Sequence, residues 1–199
     1  MKIMHFLRSV FRVSRNLLLK LRLSRYDMDS IAPYFRECGV EIGEGTRIVS
    51  KDVHFTFGSE PYLIRIGKRC SMAAGVRFIT HDGGVWTIRK DIPEIDVFAP
   101  IEIKDNSIIG MNTIILPGVT IGPNSVVGAG SVVSKDIPPN TVAAGVPCRP
   151  LMSLEDYREK KVAQMMSVRH LAEKERREAL MKLWDDWDKE PVNNDPTSS

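Results

Sequence analysis

Apolar residues in the middle of this chain recur at every sixth position. Between 103 and 138 the sequence divides into IKDNSI, IGMNTI, ILPGVT, IGPNSV, VGAGSV and VSKDIP. Each unit opens with Ile or Val: Ile103, Ile109, Ile115, Ile121, Val127 and Val133. Gly is frequent at the second place, and small or β-branched residues recur at the fifth. Upstream, Ile42, Ile48, Ile66, Met72 and Phe78 hold the same register. The step from Phe78 to Ile103 is 25 residues, so the register breaks once, at the stretch FITHDGGVW. A period of six matches neither the 3.6 of an amphipathic helix nor the alternation of a simple strand. It predicts a chain that makes a short strand, turns a corner and repeats, three sides to a coil. The first residue of each unit then points into a prism, and Gly or Asn at the corners tolerates the positive φ of tight turns. Each coil buries its apolar face only against neighbouring coils, as in a solenoid. The expected class is mainly β, a parallel β-helix; a β-sandwich with chance spacing would have to explain six consecutive matches.

Three segments leave the pattern. Residues 82–100, DGGVWTIRKDIPEIDVFAP, are expected to form a loop extruded from a corner, and long loops on regular scaffolds often carry function. HFTFGSEPYLIR at 54–65 keeps the register but loses the motif. After Pro150 the sequence reads as helix, with Ser153 and Asp156 as an N-terminal cap and Leu154, Tyr157, Met165, Val168, Leu171, Leu180 and Trp184 along an apolar stripe. Residues 3–23 also read as a helix, with Ile3, Leu7, Val10, Leu17 and Leu21 on one side. The predicted organisation is a basic amphipathic helical segment over 1–30, the β-helix over 31–150, a helical segment over 151–190 and a disordered tail over 191–199.

Charge adds an asymmetry. The chain has 28 basic and 25 acidic residues. Seven of the basic ones, Lys2, Arg8, Arg12, Arg15, Lys20, Arg22 and Arg25, fall in the first 25 residues, which hold no acid. That arm suits anionic lipid headgroups, or packing on another subunit or a solenoid end. The remainder is mildly acidic, which argues against nucleic-acid binding. No run of apolar residues is long enough to span a membrane, and LLLKLRL is broken by charge, so no secretory signal is expected. Cys38, Cys70 and Cys148 form neither a disulfide framework nor a metal spacing, which points to a reducing compartment and a cytoplasmic protein, peripheral on the membrane if the basic arm binds lipid.

The segment ILPGVTIGPNSVVGAGSVVSKDIPPNTVAAGVPCRP, 115–150, resembles the final coils of hexapeptide-repeat acyltransferases, above all the galactoside and maltose O-acetyltransferases. EPYLIRIG followed by AAGVRFITHDGGVW is similar to the polysaccharide-modifying acetyltransferases. The resemblance covers about 40–150. It implies a left-handed parallel β-helix, a hand opposite to the usual crossover preference. It further implies a homotrimer with sites between subunits, acetyl-CoA as donor and a sugar or polysaccharide precursor as acceptor. Family contacts to acetyl-CoA map onto Gly110, Met111, Gly128, Ala129, Ser134, Lys135, Ala144 and Arg149. Small residues there let a pantetheine arm lie against the backbone, and Lys135 and Arg149 supply charge for phosphates. Met152 stands where the family often has a further basic residue.

Acyl transfer from a thioester to a hydroxyl needs a base as oxygen attacks, and a histidine of near-neutral pKa suits that task. Of His5, His54, His81 and His170, the resemblance assigns the catalytic position to His81, where the register breaks. Asp82 is a candidate to fix the imidazole or bind acceptor hydroxyls, or else a turn residue. Trp86 is a candidate to stack on a sugar, and Arg89 to hold an anionic group; loop packing fits both equally. Glu60 is a further acceptor-side candidate. The expected function is acetyl-CoA-dependent O-acetylation of a sugar hydroxyl in surface polysaccharide synthesis, with no metal. N-acetylation of an amino sugar is the alternative, followed by a non-catalytic trimeric scaffold. A zinc hydratase on the same scaffold would need three suitably spaced histidines, and only His54 and His81 lie in the repeat region.

Overall fold

The computed structural model describes residues 31–50 and 52–183. The expected helix at 3–23 with its basic arm, Trp184 and the tail 191–199 lie outside these residues. The described residues fall into two compact units, divided between Tyr157 and Arg158.

The first unit is a left-handed parallel β-helix, and its three faces follow from the six-residue period. The first face stacks β1 (Glu41–Ile42), β3 (Ile64–Ile66), β6 (Ile101–Ile103) and β9 (Thr120–Ile121). The second stacks β2 (Arg47–Ile48), β4 (Ser71–Met72), β7 (Ile108–Ile109), β10 (Val126–Val127) and β12 (Thr141–Gly145). The third holds β5 (Arg77–Phe78), β8 (Ile114–Ile115) and β11 (Val132–Val133). Neighbours on each face pair in parallel with like positions of the hexad aligned, as in Ile66 beside Ile103 and Ile103 beside Ile121. Backbone bonds such as Gly110 N–H to the Val127 carbonyl, 2.8 Å, tie successive coils.

Ile103, Ile109, Ile115, Ile121, Val127 and Val133 are all fully buried. Each such side chain contributes roughly 1.5–3 kcal/mol relative to exposure. The fifth position is also interior: Ser107, Thr113, Ser125 and Ser131 are buried. Their hydroxyls bond corner carbonyls, as Ser125 Oγ does to Pro138 O at 2.8 Å and Ser131 Oγ to Gly128 O at 2.6 Å. A small hydroxyl is required here because it fits the corner and satisfies a backbone group that the strands leave unpaired. The fourth position turns the corner with positive φ, at Asn106, Asn112, Gly118, Asn124 and Gly130. Asn106 and Asn124 continue into a ladder: Asn106 Nδ2 donates to Asn124 Oδ1 at 2.9 Å, and Asn124 Nδ2 to Asn140 Oδ1 at 3.1 Å.

The repeat is modified at both ends. At the start, α1 (Ala32–Glu37) covers the open end of the prism with buried Tyr34 and Phe35. In the first coil the third side is not a strand. Residues 52–63 form α2 (Val53–Phe57), capped by Asp52 Oδ1 on the Phe55 N–H at 2.9 Å, and a 3-10 turn at Pro61–Leu63. Phe57 enters the core between Phe35 and Phe78, at ring-centroid distances of 5.1 and 5.3 Å. At the far end, the unit VSKDIP is cut short: Ile137, not the residue six after Val133, pairs with Ile121. The chain then turns back as β13 (Cys148–Ser153), antiparallel to β12. Ser153 caps the next helix, accepting from the Asp156 N–H at 3.0 Å. That helix, α3 (Leu154–Ala163), starts directly after the expected cap residue.

The second unit contains α4 (Glu173–Leu183), whose start is fixed by Glu175 accepting from the Ala172 N–H at 3.2 Å. The expected single helix is thus two, separated at 164–172, and neither buries a residue. Of the expected stripe, Leu154 and Tyr157 fall on α3, Leu180 on α4, and Met165, Val168 and Leu171 between the two helices. Among the described residues no helix is long and apolar enough to cross a membrane.

Candidate functional site

The hexad register breaks after Phe78 because 19 residues, 82–100, leave the corner between the third and first faces. The break is closed at its neck. His81 forms an antiparallel bridge with Phe98, Asp82 N–H donates to Val97 O at 3.0 Å, and Ala99 N–H donates to Thr80 O at 2.9 Å. His81 therefore stands where the loop departs, on backbone held from both sides, with its side chain 45% exposed. Its Nδ1 lies 3.1 Å from Glu60 Oε2. The same oxygen accepts from Thr80 Oγ1 at 2.9 Å, and Glu60 is only 14% exposed. Hydrogen bonds from Ser59, Thr80 and His81 hold the Glu60 carboxyl below its ordinary value of 4.5, against a burial that raises it.

This geometry redistributes the expected roles. The imidazole is engaged by Glu60, not by Asp82, whose Oδ1 accepts from the Gly84 N–H at 2.8 Å and caps the 3-10 turn Gly83–Ile88. Arg89 is taken up inside the loop: its guanidinium bonds Asp96 and lies 5.7 Å from the centre of the Trp86 ring. It therefore braces the loop from within. Trp86 itself remains 74% exposed. The signal for the Glu60–His81 pair was absent from the sequence, since 21 residues separate the two.

The residues expected to bind the donor fall on two edges of the prism. Gly110, Gly128 and Ala144 stack on successive coils at the corner between the second and third faces, followed by Met111, Ala129 and Gly145. A Cβ on Gly110 would stand 2.4 Å from Ala129 N, and one on Gly128 would stand 2.8 Å from the Ala144 Cβ. Coil stacking alone thus accounts for both glycines. Met111 and Ala129 are exposed beside them, and Arg149 joins this edge because it pairs with Ala144 across β12 and β13. Ser134 and Lys135 are on the other edge, two coils along from His81, a rise of about 10 Å at the usual strand spacing. Both are exposed. A groove of about 570 Å³ lies elsewhere, over the first face beside Glu41, Arg65, Glu102 and Lys104, and none of the expected site residues lines it.

Comparisons with known proteins settle the lineage. A profile of the bacterial transferase hexapeptide family, six repeats, matches residues 100–135. The Staphylococcus aureus protein CapG is 47% identical over 146 residues, covering 73% of this chain and 82% of that protein. The chain belongs to the hexapeptide-repeat acyltransferase family. The galactoside O-acetyltransferase of Escherichia coli K12 is 63% identical over 138 residues, covering 61% of this chain and 67% of that enzyme. A solved galactoside acetyltransferase in complex with coenzyme A is 28% identical with a TM-score of 0.49, covering 73% of this chain and 82% of that one. Within this family the chain is an enzyme, an acyltransferase.

Proposed function

We propose that this acyltransferase moves an acetyl group from acetyl-CoA to a sugar hydroxyl, with His81 as general base. The observation that carries the reading is the placement of His81: a half-exposed imidazole on backbone fixed at the neck of the loop. In the reaction the acceptor hydroxyl gives its proton to the imidazole as its oxygen attacks the thioester carbonyl. The carbon–sulfur bond then breaks, and the imidazolium returns the proton to the departing thiolate. The products are an acetyl ester and a free thiol, with the base regenerated.

Donor binding is supported by two edges that suit the parts of acetyl-CoA. Met111, Ala129, Ala144 and Gly145 offer a slender, small-residue edge for pantetheine. Lys135 and Arg149 offer cations for phosphates. Because the small-residue edge and the His81 edge are different edges of one prism, a threefold assembly that sets one copy's edge against another's would unite them. A homotrimer is accordingly part of the proposal. The sugar acceptor is supported by the likeness to a galactoside O-acetyltransferase and by exposed Trp86, whose face can stack on a pyranose ring. A role in surface polysaccharide synthesis follows the resemblance of 60–67 and 73–86 to polysaccharide-modifying enzymes. A reducing, cytoplasmic setting is supported by Cys38, Cys70 and Cys148, which form no disulfide with one another.

The test is His81→Ala, assayed with radiolabelled acetyl-CoA against a panel of hydroxyl and amino sugars. Turnover is expected to fall roughly 10²–10⁴-fold while coenzyme A affinity by calorimetry is retained. Wild-type turnover in the variant would remove His81 from the mechanism.

A further inference from the structure

We infer that Glu60 is a positioning residue for His81, supplied by the segment that replaces the third strand of the first coil, and not an acceptor-binding residue. The inference rests on the reading of His81 as the base. A histidine can take a proton only through a ring nitrogen that carries a lone pair, and the partner of its other nitrogen decides which one that is. Here Nδ1 faces a carboxylate oxygen at 3.1 Å. An ionised carboxylate only accepts, so the pair requires Nδ1 to carry hydrogen and leaves Nε2 as the basic atom. The same carboxylate faces the positive charge that the ring acquires when it takes the acceptor's proton.

The carboxylate is itself fixed. Thr80 Oγ1 donates to the same oxygen at 2.9 Å, and Thr80 is buried with its carbonyl held by Ala99 at the loop neck. Glu60 leads directly into the 3-10 turn Pro61–Leu63, where Leu63 N–H donates to Glu60 O at 3.0 Å. Three residues earlier, Phe57 anchors the segment in the core. The Glu60 side chain is only 14% exposed, and its Oε2 is engaged by both Thr80 and His81. The arrangement belongs to the interrupted first coil, outside the matched repeat at 100–135.

The experiment uses the full chain. Glu60→Ala is expected to lower kcat roughly ten- to hundredfold, the scale of a misplaced catalytic group, with KM for acetyl-CoA and for the acceptor little changed. Glu60→Gln keeps an oxygen that can accept from Nδ1 and is expected to lose less. In ¹⁵N-histidine-labelled protein, the His81 ring signals should report hydrogen on Nδ1 in the wild type and in Glu60→Gln, and a loss of that preference in Glu60→Ala. The tautomer readout is independent of turnover. If His81→Ala stays active while the tautomer shift appears, the base assignment fails and the positioning contact stands. An unchanged tautomer in Glu60→Ala, or an effect confined to the acceptor KM, overturns the inference.

Discussion

Phe57→Ala tests whether the helix that interrupts the first coil is part of the core or an ornament on it. Phe57 is 0% exposed, with the Phe35 ring at 5.1 Å on one side and the Phe78 ring at 5.3 Å on the other. One neighbour closes the end of the prism and the other is the first inward residue of the third face. Truncation leaves a cavity bounded by α1, α2 and β5, which backbone bonds keep from collapsing. Phe→Ala at such a site costs about 3–5 kcal/mol, including the aromatic pair contributions of about 0.5–1.5 kcal/mol each. A solenoid's stability is carried from neighbour to neighbour, so this loss falls first on the first coil. Urea denaturation followed by circular dichroism, at matched protein concentration, should show the destabilisation. Hydrogen exchange should locate it: amides of 52–63 should exchange roughly a hundred- to a few-thousandfold faster, while those of 108–133 change least. Because the same segment presents Glu60, activity should decline at temperatures where the later coils remain folded. A loss under about 1 kcal/mol with unchanged exchange across 52–63 would refute the reasoning.

Two further outcomes probe the coil and its thiols. Asn124 combines φ of 55° with two ladder bonds of 2.9 and 3.1 Å. Asn124→Ala is expected to cost about 2 kcal/mol and Asn124→Gly less, because Gly keeps the backbone conformation; equal costs in thermal or chemical denaturation would discount the φ argument. Burial pushes the Cys70 and Cys148 thiols up. Under mildly alkaline alkylation read by mass spectrometry, half-buried Cys38 should label ahead of both; early labelling of Cys70 would contradict its place beneath the first coils. The raised values have a definite sign: folding is unaffected while the thiols are protonated and is disfavoured as pH rises through the ordinary value of 9.0.

The hexad pattern alone predicted the prism, the inward Ile and Val column, the positive-φ corners and the site of the extruded loop. These are legible because each depends on residues within one turn of the coil: an apolar side chain inward, a small hydroxyl at the corner, an Asn or Gly where φ must change sign. The place of His81 was legible for the same reason, as the point where the period fails. Closure of the prism decided the rest. It set Glu60 against His81, put Phe57 where a third strand would have been, and let Ile137 pair with Ile121 ahead of its register. None of these follows from local spacing, because each is a contact between residues that meet only after the chain has wound past itself, and a periodic pattern carries no information about what fills the positions where it stops.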